Sequence, residues 1–365
     1  GAARPRRIKV LLYTFILLLL GTLLFRAHWG VSALNLPFPL DIGEMYKYLL
    51  TEFRVIIKYL SLVFFPFNQN LDHYFPYSTS LTNIPTLLSL GGIAAIITGA
   101  ILLSRKHPLL SFGTLWFFIY LIPTSTILPS PTVIFEHRLY LSIAGFGIFA
   151  NALMLSVTRS GKARFVFLSI FTVILCSLTI SRNALWRSPI ALMEDTVRKS
   201  PLNARPHLVL GGLYYTSGEL KKAAYMLTRA SELAPLYPDP YNNLGLVYLT
   251  EGDQETAEKN FRKAISLKKD FVDPHVNLAV LLVETGRIEE AEQILWEIKN
   301  TPEARYKDRV SLALGNIYFI KGRLADAEGL FLQALLINPD NGKAYFNLGN
   351  LYFTRGQTQK AIDSY

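Results

Sequence analysis

The stretch Leu244-Gly245-Leu246-Val247-Tyr248 recurs along the C-terminal half of this 365-residue chain and decides its fold. The chain holds three close copies and one weaker copy, at Leu210–Tyr214, Leu314–Tyr318, Leu348–Tyr352 and Leu278–Leu282. The copies at 210 and 244 are 34 residues apart, as are those at 314 and 348. A fixed period of this length predicts stacked supersecondary units that bury their apolar faces only against one another.

Small residues follow each copy at fixed positions. A turn glycine and, five residues later, an alanine occur in all five units: Gly218, Gly252, Gly286, Gly322 and Gly356, then Ala223, Ala257, Ala291, Ala327 and Ala361. Two antiparallel helices pack closely where small side chains let their backbones approach. The pattern is identified as the tetratricopeptide repeat, a helix pair with this period. We expect repeats at 204–237, 238–271, 272–305, 308–341 and 342–365, the last one truncated.

The N-terminal half is rich in apolar runs. Hydrophobic residues make up 51% of the chain and its mean hydropathy is +0.27, which favours a membrane protein. A bilayer crossing takes roughly 20 apolar residues, and five runs are predicted to span: Val10–Phe25, Ile84–Leu103, Leu109–Leu128, Leu139–Val157 and Phe165–Ile180. We therefore predict an all-α chain, with a polytopic transmembrane domain over residues 1–183 followed by the tetratricopeptide solenoid.

Two further segments are predicted to be helices that do not cross. The run Phe53–Phe67 carries Arg54 and Lys58, and charges near the centre of a span are costly, so we expect an interfacial helix. Residues 184–203 link the two halves. A helix at Ser188–Ser200 is expected there, either as a cap on the first repeat or as a simple linker.

The charge distribution orients the chain and argues against a nucleic-acid partner. The net charge is +10, but residues 1–203 carry +11 and the remainder carries −1, so the repeats have no basic excess. Basic clusters lie before the first predicted span, between the second and third, and between the fourth and fifth. If 53–67 does not cross, the positive-inside rule places all three in the cytoplasm and the repeats on the opposite side.

Two polar segments beside the predicted spans are candidates for a lipid-phosphate site. Asp72 and His73 follow the interfacial run, and Glu136, His137 and Arg138 precede the fourth span. A guanidinium matches two phosphate oxygens at once, and ionisable groups at a bilayer boundary are costly unless they function or pair. The alternative is a Glu136–Arg138 salt bridge that anchors the helix.

The repeats contain a candidate peptide-binding groove and no catalytic constellation. Asn243, Asn277 and Asn347 hold the sixth position of their repeats, on the predicted concave side, and a carboxamide can hydrogen-bond the backbone of an extended peptide. The alternative is that asparagine is simply frequent there. His207 and His275 hold a packing position. We predict no metal site and no cofactor, since Cys176 is the single cysteine.

The order of elements resembles a known enzyme family. The segments "FFPFNQNLDHYFP" from Phe64, "EHRLYLSIAGFG" from Glu136 and "RNALWRSPIALMEDTVRKSP" from Arg182, followed by repeats, are similar to the TMTC family of membrane O-mannosyltransferases, of the GT-C superfamily. The resemblance implies transfer of a sugar from a lipid-linked polyprenyl-phosphate donor to an acceptor protein held by the repeats. It also implies a catalytic acidic loop, which we expect to lie outside this chain.

Two functions therefore remain open. The first is the C-terminal portion of such a glycosyltransferase, with Glu136, His137, Arg138, Asp72 and His73 near the lipid phosphate. The second is a non-enzymatic, membrane-anchored scaffold for assembly of an envelope or secretion complex. In both cases we expect an integral membrane protein, in a bacterial inner membrane rather than the endoplasmic reticulum, with its repeats on the periplasmic or lumenal side.

Overall fold

The computed structural model describes residues 42–122, 134, 136–158, 160–300 and 307–365. Every regular element in these ranges is a helix, so the predicted all-α fold class is confirmed for the part of the chain that is described. The chain divides into two compact units between Ser200 and Pro201.

The first unit contains six α-helices and one 3₁₀ turn among its described residues. They are α1 (Ile42–Phe64), α2 (Ile84–Leu103), α3 (Pro108–Leu121), the 3₁₀ turn (Glu136–Leu139), α4 (Tyr140–Val157), α5 (Gly161–Trp186) and α6 (Pro189–Lys199).

Three of these helical segments are long and apolar enough to cross a membrane. They are α2, the turn together with α4, and α5, at 20, 22 and 26 residues. The predicted span Leu109–Leu128 is represented by α3, a shorter apolar helix of 14 residues, and its last residues lie outside the described ranges. The predicted span Val10–Phe25 also lies outside them.

Helices α3 and α4 pack antiparallel through two glycines. A Cβ added to Gly113 would lie 2.6 Å from the backbone oxygen of Gly145, and one added to Gly145 would lie 2.7 Å from that of Gly113. The indole N–H of Trp116, in the second half of α3, donates to the carbonyl of Leu141 at the start of α4, at 3.1 Å. Small residues at such crossings let apolar helices gain van der Waals contact.

The predicted interfacial helix at 53–67 has different limits in the structure. Helix α1 begins eleven residues earlier, at Ile42, and ends at Phe64, because Phe65 precedes Pro66 and a residue before proline disfavours the helical conformation. All of its seven buried residues except Leu50 fall at positions three or four residues apart: Tyr48, Thr51, Glu52, Val55, Tyr59 and Leu62. This spacing defines one helix face. Charged residues between 44 and 54 hide that face from a search for continuous apolar runs.

The second unit consists of five helix pairs. First and second helices alternate as α7 (Ala204–Thr216), α8 (Leu220–Leu233), α9 (Pro238–Glu251), α10 (Gln254–Leu267), α11 (Val272–Glu284), α12 (Ile288–Lys299), α13 (Lys307–Ile320), α14 (Leu324–Ile337), α15 (Gly342–Thr354) and α16 (Thr358–Ser364). The predicted turn glycine of every pair adopts a left-handed backbone, with φ of 86° at Gly252. This conformation favours glycine because it has no Cβ.

Within each pair, the second helix fills the space that the small residue of the first helix leaves. The aromatic rings of Phe261 and Phe331 lie against Gly245 and Gly315, and both rings are fully buried. Between pairs, successive first helices approach each other more closely than successive second helices do. An array stacked in this way curves with its first helices on the inner, concave side.

Helix α6, which we expected as a cap or a linker, belongs to the first unit by its contacts. Asp195 pairs with Arg182 of α5 at 2.8 Å, and the Lys199 ammonium donates to the Gln69 carbonyl at 2.7 Å. Its limits, Pro189–Lys199 with Ser188 as N-cap, agree with the predicted segment. Whether it caps the first repeat stays a prediction.

Candidate functional site

The candidate groove carries two chains of hydrogen-bonded side-chain amides. The Asn277 amide donates to Asn242 Oδ1 at 2.9 Å, and Asn242 donates in turn to Asn243 Oδ1 at 3.2 Å. In the last two pairs, Asn347 donates to Asn316 Oδ1 at 2.6 Å. All five side chains project from first helices. The two chains are therefore positioned by the repeat geometry on the concave side.

The predicted asparagines do not form one continuous ladder. The sixth position of the fourth repeat is Ala313, so Asn347 is separated from the amides around Asn277. The structure instead adds Asn242 and Asn316, which occupy the fifth and ninth positions of their repeats and escaped the sequence pattern. A search of every first-helix position for asparagine, instead of the sixth alone, would have found both.

A cleft of about 290 Å³ lies beside the second amide chain. It is lined by Asn316, Phe319, Ile320, Phe331, Asn347 and Asn350. Phe331 is its buried floor, whereas the Ile320 side chain is 54% exposed. Asn350 accepts a hydrogen bond from the Tyr365 hydroxyl at 2.7 Å. The cleft is thus half apolar and half carboxamide, and none of its lining residues is ionisable.

A second cleft, of about 620 Å³, opens on the second pair. It combines Tyr241 and Tyr248 of α9 with Lys259 and Lys263 of α10, which are exposed. Exposed lysines on one helix are also the ordinary surface of a solvated repeat, so this cleft specifies no ligand.

The two histidines for which a packing role was predicted are buried in the repeats. His207 and His275 are buried, and Nδ1 of each bonds a backbone carbonyl one turn earlier, at 2.9 and 2.7 Å. Burial lowers the pKa of His275, so this ring is neutral near pH 7.

In the first unit, part of the predicted lipid-phosphate site comes together. His73 Nε2 lies 3.0 Å from Glu136 Oε1, and the Asn70 backbone amide donates to the same oxygen at 2.6 Å. Asp72 is half-buried in the same loop, and His137 is exposed. The loop that follows α1 is therefore fixed to the 3₁₀ turn that precedes α4.

Arg138 has a different neighbour from the one considered in the sequence. Its guanidinium lies 3.5 Å from Glu52 of α1, and the two side chains are 8% and 1% exposed. The expected alternative, a Glu136–Arg138 salt bridge, is wrong in its partner, because Glu136 is paired with His73. Burial raises the pKa of the nearby Tyr48 hydroxyl, and the Glu52 carboxylate raises it further. A cation bonded in this way has its charge compensated inside the fold.

The same loop is also held by α6, through residues that the sequence analysis did not single out. The buried Ser200 hydroxyl accepts from Asn70 Nδ2 at 2.7 Å and from the Tyr74 backbone amide at 3.0 Å. Burial raises the pKa of Asp195, but hydrogen bonds from Lys199, Arg198 and Arg182 outweigh it, and the pKa is lowered. The Ser200 contacts join segments about 130 residues apart, so no local sequence pattern predicts them.

Comparison with known proteins identifies the repeats, and the matching family models lie between residues 248 and 363. Models of the tetratricopeptide repeat match residues 248–307, 309–341 and 330–363. Similar solved structures include PilF of Pseudomonas aeruginosa (24% identity, 44% of this chain and 72% of that chain, TM-score 0.41). Others are YrrB, described as a TPR protein with an unusual peptide-binding site (21%, 47% and 88%, 0.36), and the type IV pilus biogenesis factor PilW (18%, 44% and 74%, 0.41). No curated protein matches the chain.

Proposed function

We propose that this chain is a membrane-anchored, non-enzymatic scaffold whose tetratricopeptide repeats hold an extended segment of a partner protein along their concave side. The observation that carries the proposal is the pair of amide chains, Asn277–Asn242–Asn243 and Asn347–Asn316. Side-chain amides along a groove can bond the backbone of a peptide whatever its sequence, while neighbouring apolar side chains select among sequences.

The anchoring part of the proposal rests on α5. This helix has 26 residues, and none of its side chains is buried in the fold. A helix that is apolar on all sides needs an apolar environment, which a bilayer supplies. Because α3 and α4 are antiparallel, Lys106 before α3 and Arg164 near the start of α5 lie at the same end of the bundle. Basic residues at one end favour a cytoplasmic location for it, with the repeats on the periplasmic side of a bacterial inner membrane.

A second candidate is the C-terminal portion of a polyprenyl-phosphate-dependent protein glycosyltransferase, as the resemblance to the TMTC family implies. The contact of His73 with Glu136 beside Asp72 favours it, because an imidazole paired with a carboxylate at the end of a span can bind or protonate a phosphate ester. The buried Arg138–Glu52 pair weakens it, since the guanidinium intended for the lipid phosphate is already compensated. For this reason we rank the scaffold first.

A cross-linking experiment tests the scaffold. A photoreactive phenylalanine analogue is placed at Val280 or Ile320 on first helices, and at Tyr225 or Leu332 on second helices, in the whole protein in its own cells. All four side chains are exposed. We expect one discrete protein adduct from the concave positions and none from the second-helix positions. Equal adducts from both sets, or none from the concave positions, would refute the proposal.

The two candidates are separated by His73→Gln and Glu136→Gln in the whole protein. Under the glycosyltransferase reading, transfer of labelled sugar from a polyprenyl-phosphate donor to the cross-linked partner falls in both variants, while the adduct persists. Under the scaffold reading, no transfer is detected in the unaltered protein. Transfer that persists in both variants would show that these two groups play no part in it.

A further inference from the structure

We propose that the cleft between α13 and α15 is a subsite for one bulky, uncharged side chain, and that the partner's bound segment is neutral and apolar. This subsite rests on the proposed function and narrows the class of partner. The partner is thereby defined by chemistry: an extended internal stretch of polypeptide with aromatic or branched aliphatic residues, and neither an acidic motif nor a free C-terminal carboxylate.

The hydrogen-bonding capacity of the cleft matches one peptide group. Because Asn347 donates to Asn316 Oδ1, the Asn347 oxygen remains an acceptor and the Asn316 amide remains a donor. Neither of these groups bonds another described residue. The first chain has the same polarity, with Asn243 left as donor and Asn277 as acceptor. Each chain thus leaves one whole amide NH2 group and one whole carbonyl oxygen unused, which can serve the C=O and N–H of a peptide backbone.

The apolar part of the cleft is shaped for a side chain. Phe319 and Ile320 form one wall, and the buried Phe331 ring forms the floor. The volume of about 290 Å³ corresponds to roughly ten water molecules. Further apolar side chains on the next first helix are exposed, Phe346 at 56% and Phe353 at 70%. Exposed apolar surface beside unsatisfied amides is typical of a binding site for polypeptide.

The charged groups near the cleft lie outside its lining, and Lys343, one turn before Asn347 on α15, is exposed. Arg309, at the start of α13, is paired with Asp273 of the preceding first helix. The cleft itself is lined by no ionisable residue. A carboxylate bound inside the cleft would lose its hydration without a cationic partner among the lining residues, which is unfavourable. An uncharged ligand avoids this cost, and its binding should depend little on ionic strength.

The experiment selects ligands from a displayed library of short random linear peptides, using the whole chain in detergent micelles with empty micelles as the background. Selected peptides are then synthesised with a fluorescent label, and their affinity is measured at low and high salt. We expect enrichment of aromatic and branched aliphatic residues, depletion of Asp and Glu, and affinities that change less than about threefold with salt.

Two matched variants test whether the peptides bind in the cleft. Ile320→Glu puts a charge in the cleft, and Leu332→Glu puts the same charge on α14 of the same repeat, at similar exposure of 54% and 49%. We expect the first to weaken binding roughly ten- to a hundredfold and the second to leave it unchanged. Circular dichroism of both variants confirms that the repeats remain folded.

The outcomes distinguish this inference from the function on which it rests. If no peptide binds above background, or if binding is unaffected by both Ile320→Glu and Asn277→Leu, the scaffold proposal falls as well. If peptides bind and Asn277→Leu weakens them, but they are acidic, need a free carboxylate or ignore Ile320→Glu, the groove stands and the neutral subsite is refuted.

Discussion

Gly245 and Phe261 form a close contact whose energetic consequence can be predicted in detail. Alanine at 245 would place its Cβ 2.4 Å from one ring carbon of Phe261 and 2.6 Å from the next. Carbon atoms in favourable contact are about 3.5–4.0 Å apart, so the ring would have to move by about 1 Å. The ring is fully buried, and its surroundings cannot give way freely.

The expected loss is an overpacking energy set against a helix-propensity gain. Overpacking costs about 1–3 kcal/mol, and replacing a mid-helix glycine by alanine recovers about 1 kcal/mol. Gly212→Ala is the matched control, because it lies in a first helix and nothing is within 4 Å of its added Cβ. We expect Gly212→Ala to stabilise its repeat by about 1 kcal/mol, and the two variants to differ by the overpacking cost alone, about 1–3 kcal/mol.

The third repeat supplies a rescue. Where the other repeats have glycine it has Ala279, and at the position of Phe261 it has the smaller, fully buried Leu295. The double variant Gly245→Ala with Phe261→Leu reproduces that pair. We expect the double variant to be more stable than the sum of the single variants predicts, with a coupling energy of about 1–2 kcal/mol.

The assay is hydrogen–deuterium exchange of the whole chain in detergent micelles, read as the free energy of opening of α9 and α10, with urea unfolding as a second measure. Exchange in the distant pair α15 and α16 serves as an internal control, since stability in a repeat array is largely a nearest-neighbour property. Equal stabilisation by Gly245→Ala and Gly212→Ala would refute the packing argument. Additive single and double variants would refute the proposed pairing.

Three further predictions concern the first unit and the orientation of the chain. Asp195→Asn should cost about 2 kcal/mol in the opening of α6 at pH 7. Because the folded-state pKa of Asp195 is lowered, this stability is fully present above the unfolded value of 3.8 and should be lost progressively as the pH falls from there through the lower folded-state pKa. An unchanged difference in acid would contradict this. Gly145→Ala should lower the thermal stability of the protein in micelles, whereas Gly147→Ala, with open space around its added Cβ, should not. Equal effects of the two variants would contradict the close α3–α4 packing. In a cysteine-free background, a cysteine at Tyr225 should react with an impermeant maleimide in intact cells and one at Lys106 only after permeabilisation; the reverse would overturn the proposed orientation.

The repeats were predictable because their determinants are local and recur. Each unit repeats a small residue, a turn glycine and an alanine at fixed spacing, so one period of sequence reports on helix limits, turn and packing together. The structure has the left-handed backbone at all five turn glycines and small residues at the contacts between helices. The apolar helices α2, α4 and α5 were predictable for a similar reason, since length and composition alone define them.

Pairings between distant segments were not predictable. Glu52 and Arg138 are 86 residues apart, and nothing in either neighbourhood indicates that α1 passes the start of α4. The nearer acidic residue, Glu136, looked like the partner of Arg138 because sequence distance was the available guide. The amide chains were not predicted for a different reason. Asn242 and Asn316 occupy repeat positions different from the sixth, and their contact with the next first helix depends on how tightly successive pairs curve.

Successive first helices meet one another, and each helix pair makes its main contacts with its immediate neighbours. A genetic duplication of one 34-residue unit would therefore add a rung to the concave side without disturbing those already present. A change in the number of repeats would then lengthen or shorten the peptide segment that the groove recognises. This is a simpler route to a new partner than remodelling a closed pocket.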